Sequence, residues 1–102
     1  MQKTNAEKKL EVWLKIMRFD YTYKKKIHYL EGGCFHVDFL VKKKVAVQID
    51  DYTKHAEKRQ RVIDKKEEEL LKKRRIHTVR FTKYAILQGN PTSIIEKIKE
   101  YL

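Results

Sequence analysis

The sequence predicts a single α/β domain in the order α-β-β-β-α-β-α, with a mixed four-stranded sheet flanked by helices. Two observations carry that reading. Residues 34–50, CFHVDFLVKKKVAVQID, alternate as two strands around a lysine turn, and on either side apolar residues recur at helical spacing. A third observation supplies the mixed sheet. The strand-like run IHTVRF at 76–81 follows a helix, and a helix crossover brings it parallel to an earlier strand.

Taken in order, residues 4–18 read as a helix. Thr4 with Glu7 makes a capping box, and Leu10, Trp13, Leu14 and Met17 fall on one face. Residues 19–31, FDYTYKKKIHYLE, are rich in aromatic and β-branched types and read as the first strand. Lys24, Lys25 and Lys26 interrupt it, as at a bulge or an exposed edge, and Gly32-Gly33 is the turn that follows.

In the central hairpin Phe35, Val37, Phe39 and Val41 share one face and His36 and Asp38 the other. Val45, Val47 and Ile49 share a face, with Gln48 and Asp50 on the reverse. A three-residue loop of Lys42, Lys43 and Lys44 pairs Val41 with Val45. Asp38 then lies opposite Gln48, and His36 opposite Asp50. A slip of one residue would set apolar side chains against polar ones, so the pattern supports this register.

From about Lys54 to Lys73 a long charged helix is expected, with Ala56, Ile63 and Leu70 on its buried stripe and Val62 and Leu71 widening it. Glu68 with Lys72 and Glu69 with Lys73 are i,i+4 pairs. A short turn of helix around 84–87 follows the last strand. Gly89 ends it, Asn90 caps the terminal helix with Pro91 at its first position, and Ile94, Ile95, Ile98 and Leu102 form the buried face.

At 102 residues the chain closes one small core, and 41% hydrophobic content suffices for it. Lys and Arg outnumber Asp and Glu by 25 to 14, a formal charge of +11. Polyanions are the natural partners of such a field, and the basic residues are spread over several elements, which favours nucleic acid over a membrane surface. Cys34 is the only cysteine, which excludes an internal disulfide or a multi-cysteine zinc site and fits a reducing compartment. With no apolar leader core in MQKTNAEKKLE, a cytoplasmic location is expected.

The hairpin register gathers His36, Asp38, Gln48 and Asp50 in one polar patch, with His55 just beyond. Carboxylates on neighbouring strands suit a hard divalent cation, which binds oxygen and in phosphodiester hydrolysis polarises the phosphoryl group. Asp38 is the first ligand candidate, Gln48 offers a neutral amide oxygen, and Asp50 adds charge. His55 suits a ligand, a general base or a general acid. Two readings of Glu11 are open: a solvated helix residue, or a border carboxylate that reaches a metal site on the adjoining sheet. The charges of the long helix read first as a solvated face, although Arg59, Arg61, Lys65 and Lys66 are also able to track phosphates.

The spacing VDFLVKKKVAVQIDDYTKH resembles the PD-(D/E)xK nuclease superfamily. The likeness is to the small very-short-patch-repair-like endonucleases, whose pattern is an Asp on one strand, Glu-x-Asp-Gly on the next, then a His. It continues through DKKEEELLKKRRIHTVRF, from Asp64 through Leu71 to Arg80 and Phe81, and NPTSIIEKIKEYL is similar to the closing helix. The resemblance implies a restriction-endonuclease-like fold and a metal-dependent DNA endonuclease using Mg²⁺ or Mn²⁺. Asp38 would be the metal-binding aspartate, with Gln48, Asp50 and His55 at the remaining catalytic positions.

This chain departs from that pattern at Gln48, where the family has Glu, and at Asp51, where it has Gly. The superfamily lysine is also missing, because Asp50 takes its place, and its role would pass to His55 or to Lys54 or Lys66. Lys42, Lys43, Lys44, Lys54, Arg59, Arg61, Lys65 and Lys66 are the DNA-contact candidates, for duplex or branched DNA. The alternative is a non-catalytic basic DNA-binding module on a degenerate nuclease fold. A weaker third is an RNA-directed protein stacking bases on its aromatic residues. Cutting both strands would be easier for a homodimer or a higher symmetric assembly.

Overall fold

The computed structural model describes residues 3–50 and 57–102, with side chains in the second span described from residue 62 onward. The order of elements is α1 (Asn5–Ile16), β1 (Tyr21–His28), β2 (Cys34–Val41), β3 (Val45–Asp50), α2 (Glu57–Lys73), β4 (His77–Thr82), α3 (Lys83–Gln88) and α4 (Pro91–Lys99). The four strands form one sheet in the order β1-β2-β3-β4. The first three run antiparallel and β4 lies parallel to β3, as the crossover through α2 requires.

Local chemistry sets the helix ends. Thr4 accepts from the Glu7 N–H and the Glu7 carboxylate accepts from the Thr4 N–H, which completes the capping box. Asn90 accepts from the Thr92 N–H with Pro91 opening α4. Thr82 does the same for α3 through the Ala85 N–H. The loop Lys42–Lys44 joins Val41 to Val45 as expected. Its turn closes through the Lys44 N–H to the Val41 carbonyl, with Lys42 and Lys43 at positive φ of 50° and 60°.

Two apolar clusters sandwich the sheet. On one side Phe39, Val41, Val45, Val47 and Val79 pack with Leu10 and Leu14 of α1, Ile86 of α3, and Ile94 and Ile98 of α4. On the other, Ile27, Phe35, Val37, Leu40 and Ala46 pack with Leu71 of α2. The alternation in β3 therefore holds, with Val45, Val47 and Ile49 toward α1 and Ala46 on the reverse.

The expected alternation in β2 does not hold. Phe35 and Val37 join Leu40 in the α2-side cluster, whereas Phe39 and Val41 pack against α1. The break falls at Asp38, opposite Lys24, whose φ of 52° takes β1 out of extended geometry at the same step. Register is unchanged across that step, from Tyr23–Phe39 to Lys25–Val37. The lysine run is therefore an exposed edge strand with one left-handed residue and not a bulge that inserts an extra one.

The buried stripe of α2 also differs from expectation. Val62 and Ile63 are exposed, and the inward positions are Asp64, Glu67, Glu68 and Leu71, the last with Leu70 half-buried beside it. This i, i+3, i+4, i+7 set is a helical face, but three of its four members are carboxylates, so a search for apolar periodicity passes over it. Met17, placed by sequence on the buried face of α1, is 36% exposed at the C-cap. Ala56 lies outside the described residues.

Candidate active site

The β2–β3 ladder runs through Val41–Val45, Leu40–Ala46 and Phe39–Val47 and ends there. Beyond it the two strands part, because β3 stays paired with β4 as far as Asp50–Thr82 while β2 stays with β1. At the fork, side chains take over from backbone. The Asp38 N–H donates to Gln48 Oε1 at 3.1 Å, and the Ile49 N–H donates to Asp38 Oδ2 at 2.8 Å. The expected juxtaposition of Asp38 and Gln48 is therefore present. A neutral amide serves at position 48 because the group it meets is a peptide N–H, and Gln48 is buried there.

The expected opposition of His36 and Asp50 does not form. His36 is exposed, facing Lys26 of β1, while Asp50 turns to β4, where its Oδ1 accepts from Arg80 at 3.0 Å. Arg80 stands beside Gln48 in the parallel register and is the hub of this side of the sheet. Its Nε donates to Glu68 Oε1 at 2.7 Å, and its Nη2 lies 3.4 Å from Asp64 Oδ1. The two acidic groups of α2 thus reach β4, through the arginine that also holds Asp50 of β3.

Lys24 closes the other flank. Its Nζ donates to Asp38 Oδ1 at 2.7 Å and is 3.0 Å from Glu7 Oε2. Burial works against its charge, but Asp38 and Glu7 outweigh it and raise the ammonium pKa to about 12. Glu7 is held below the ordinary carboxylate range: burial pushes it up, and the Thr4 N–H and Lys24 overcome that. Glu11, the helix carboxylate singled out from sequence, goes elsewhere. It binds Lys3 and accepts from Tyr21 Oη at 2.8 Å. Those two hydrogen bonds lower its pKa, while burial and Glu11 together raise Tyr21 to about 12.

The patch is rich in carboxylates. Lys24 and Arg80 are counter-ions to Asp38, Asp50, Asp64 and Glu68, and Arg80 also acts on Glu67. Asp50 is pushed above the ordinary range by burial, and Asp64 and Asp38 add to this against the pull of Arg80. Glu67 is raised in the same way, by burial first and then by Asp64, Glu68 and Asp38. Carboxylate oxygens are hard donors of the kind that divalent cations such as Mg²⁺ bind. Among the described residues, no three His, Cys, Asp or Glu side chains converge as a ready-made metal cage.

The remaining candidates are scattered. Lys42, Lys43 and Lys44 are exposed at the hairpin turn, with Lys42 Nζ 5.3 Å from the Phe19 ring centroid. Lys65 is exposed, whereas Lys66 is tied to Glu31 at 2.8 Å and lies over the Tyr29 ring. His55 and Lys54, and the side chains of Arg59 and Arg61, lie outside the described residues. No helix among the described residues is long and apolar enough to cross a membrane.

Sequence reasoning missed Lys24, Glu7 and Glu67 as members of the patch. It named Asp64 and Arg80 without a role, and it assigned Glu68 to Lys72 on the solvent side. The legible signal was the carboxylate spacing 64, 67, 68 followed by Leu71, one helical face continuing into an apolar anchor. No family model, no curated protein and no solved structure matches this chain.

Proposed function

We propose that this protein is a metal-dependent DNA endonuclease of restriction-endonuclease-like architecture, with its active site at the fork between β2 and β3. The observation that carries the reading is the pair of carboxylates Asp38 and Asp50 on adjoining strands. Burial first, and then the neighbouring carboxylates, raise the Asp50 pKa despite an arginine 3.0 Å away. A bound divalent cation would supply Lewis-acid polarisation of the phosphoryl group and a hydroxide nucleophile.

The chain's own residues do the rest. Asp38 and Asp50 offer the anionic oxygens, and Gln48 holds Asp38 in place through its peptide N–H. Arg80 keeps Asp50, Asp64 and Glu68 at one end of the sheet. His55 is the residue for proton transfer. Lys42, Lys43, Lys44 and Lys65 are exposed cations for the phosphate backbone, and a net +11 draws DNA to the surface. Two copies related by symmetry would cut both strands of a duplex.

A second reading, a basic DNA-binding module without catalysis, draws on the internal counter-ions that already engage Asp38 and Asp50. Incubating plasmid, linear and branched DNA with the protein in Mg²⁺ or EDTA separates the two. Mg²⁺-dependent nicking supports the nuclease. Binding that ignores EDTA, without nicking and with a salt slope of about −0.9 per phosphate contacted, supports the module.

A further inference from the structure

We infer that Lys24 occupies the cation position on Asp38 Oδ1, and that a divalent ion binds this site by displacing it. The inference rests on the nuclease reading of the same patch and names the residue that sets the metal affinity.

Three features of the fold support it. First, the oxygens of Asp38 are divided. Oδ2 is committed to the Ile49 N–H at 2.8 Å and helps hold the strands together, which leaves Oδ1 as the oxygen open to exchange. That oxygen is held by Lys24 at 2.7 Å, where a hard cation would also sit. Second, Lys24 has somewhere to go. Its ammonium is already shared with Glu7 Oε2 at 3.0 Å, so leaving Asp38 does not strand a charge. Third, Lys24 has room to move: it lies on an edge strand and its side chain is 36% exposed.

Glu7 is built to receive it. Its Oε1 is fixed by the Thr4 N–H in the capping box, which aims Oε2 at the sheet. The first turn of α1 is thereby coupled to the proposed metal position. Arg80 is a different kind of counter-ion: it contacts three carboxylates, so it stays when Lys24 leaves.

The test is Mn²⁺ binding followed by electron paramagnetic resonance on the wild-type protein and on Lys24→Met, Lys25→Met and Glu7→Gln. Lys25 lies next to Lys24 and is exposed, so Lys25→Met removes the same net charge without touching Asp38. Removing a cation in direct contact should tighten Mn²⁺ binding about tenfold in Lys24→Met. The exposed control should change it by less than about twofold. Glu7→Gln keeps the cap, because Gln serves equally at that position, but it takes away the alternative partner of Lys24 and should weaken Mn²⁺ binding. Circular dichroism of each variant checks that the fold is intact, and Glu7→Gln carries the test alone if Lys24→Met unfolds.

Equal effects in Lys24→Met and Lys25→Met, or tighter binding in Glu7→Gln, would overturn the displacement and leave the nuclease reading standing. Mn²⁺ binding by Lys24→Met but not by the wild type would mark Lys24 as a counter-ion the metal does not displace, and would also overturn the displacement. No Mn²⁺ binding by any variant overturns both.

Discussion

Asp38 Oδ2 accepts the backbone N–H of Ile49 at 2.8 Å, so the carboxylate at the centre of the proposed site also joins β2 to β3 where their ladder ends. One side chain thus carries a structural role beside the proposed chemical one. Asp38→Ala leaves a half-buried peptide donor without its acceptor, at a cost of about 1–3 kcal/mol. Asp38→Asn keeps an acceptor oxygen and should cost less. Urea denaturation of the two variants beside the wild type measures the difference, and equal stability of all three would contradict the role.

Glu67 has a pKa above its ordinary value of 4.5, because burial and neighbouring carboxylates disfavour its charge. A group whose pKa is higher in the folded chain than in the unfolded one contributes stability below the ordinary value. That contribution is lost as pH rises through the raised pKa. Asp50 behaves in the same direction. Glu7 and Glu11, held low, act oppositely: their contribution is present above the ordinary value and lost as pH falls through the lowered one. Glu67→Gln should therefore melt higher than the wild type at pH 7, and the advantage should vanish near pH 4. Thermal melts across that range check the sign.

The orientation of α2 gives a third prediction. Leu71→Ala opens a hole among Leu40, Ala46 and Val37 and should cost about 2–5 kcal/mol. Ile63→Gln, on the exposed side, should change stability by no more than about 0.5 kcal/mol. Sequence periodicity alone ranks Ile63 with Leu70 as core, so the comparison discriminates between the two faces.

At the hairpin turn, Lys43 holds φ at 60°, where a side chain costs roughly 1–2 kcal/mol and glycine costs nothing sterically. Part of that gain is lost to the greater unfolded freedom of glycine. Lys43→Gly should still stabilise the protein by about 0.5–1 kcal/mol, read as a higher urea midpoint.

Much of the fold was legible because single chemical rules decide it. The Thr4–Glu7 box, the Asn90-Pro91 start and the Val45–Val47–Ile49 face each have one low-energy arrangement, and the three-lysine turn sets the hairpin register. The site was legible in part: Asp38 and Gln48 meet, although through the Asp38 peptide N–H and the Gln48 side chain, just past the end of the ladder. What stayed hidden depends on partners distant in sequence. Asp64, Glu67 and Glu68 turn inward because Arg80 and the strand end await them, and a carboxylate stripe resembles a solvated one until its partner is known. The switch of facing at Asp38 is likewise silent in sequence, since no glycine marks the left-handed step at Lys24.

The central claim is that Asp38 directs metal-dependent phosphodiester cleavage. The most direct measurement is Mg²⁺-dependent nicking of plasmid DNA by the wild type and by Asp38→Asn, alongside the affinity of both for the same DNA in EDTA. The account predicts that Asp38→Asn binds DNA as the wild type does and cuts none of it. Undiminished nicking by Asp38→Asn would contradict it.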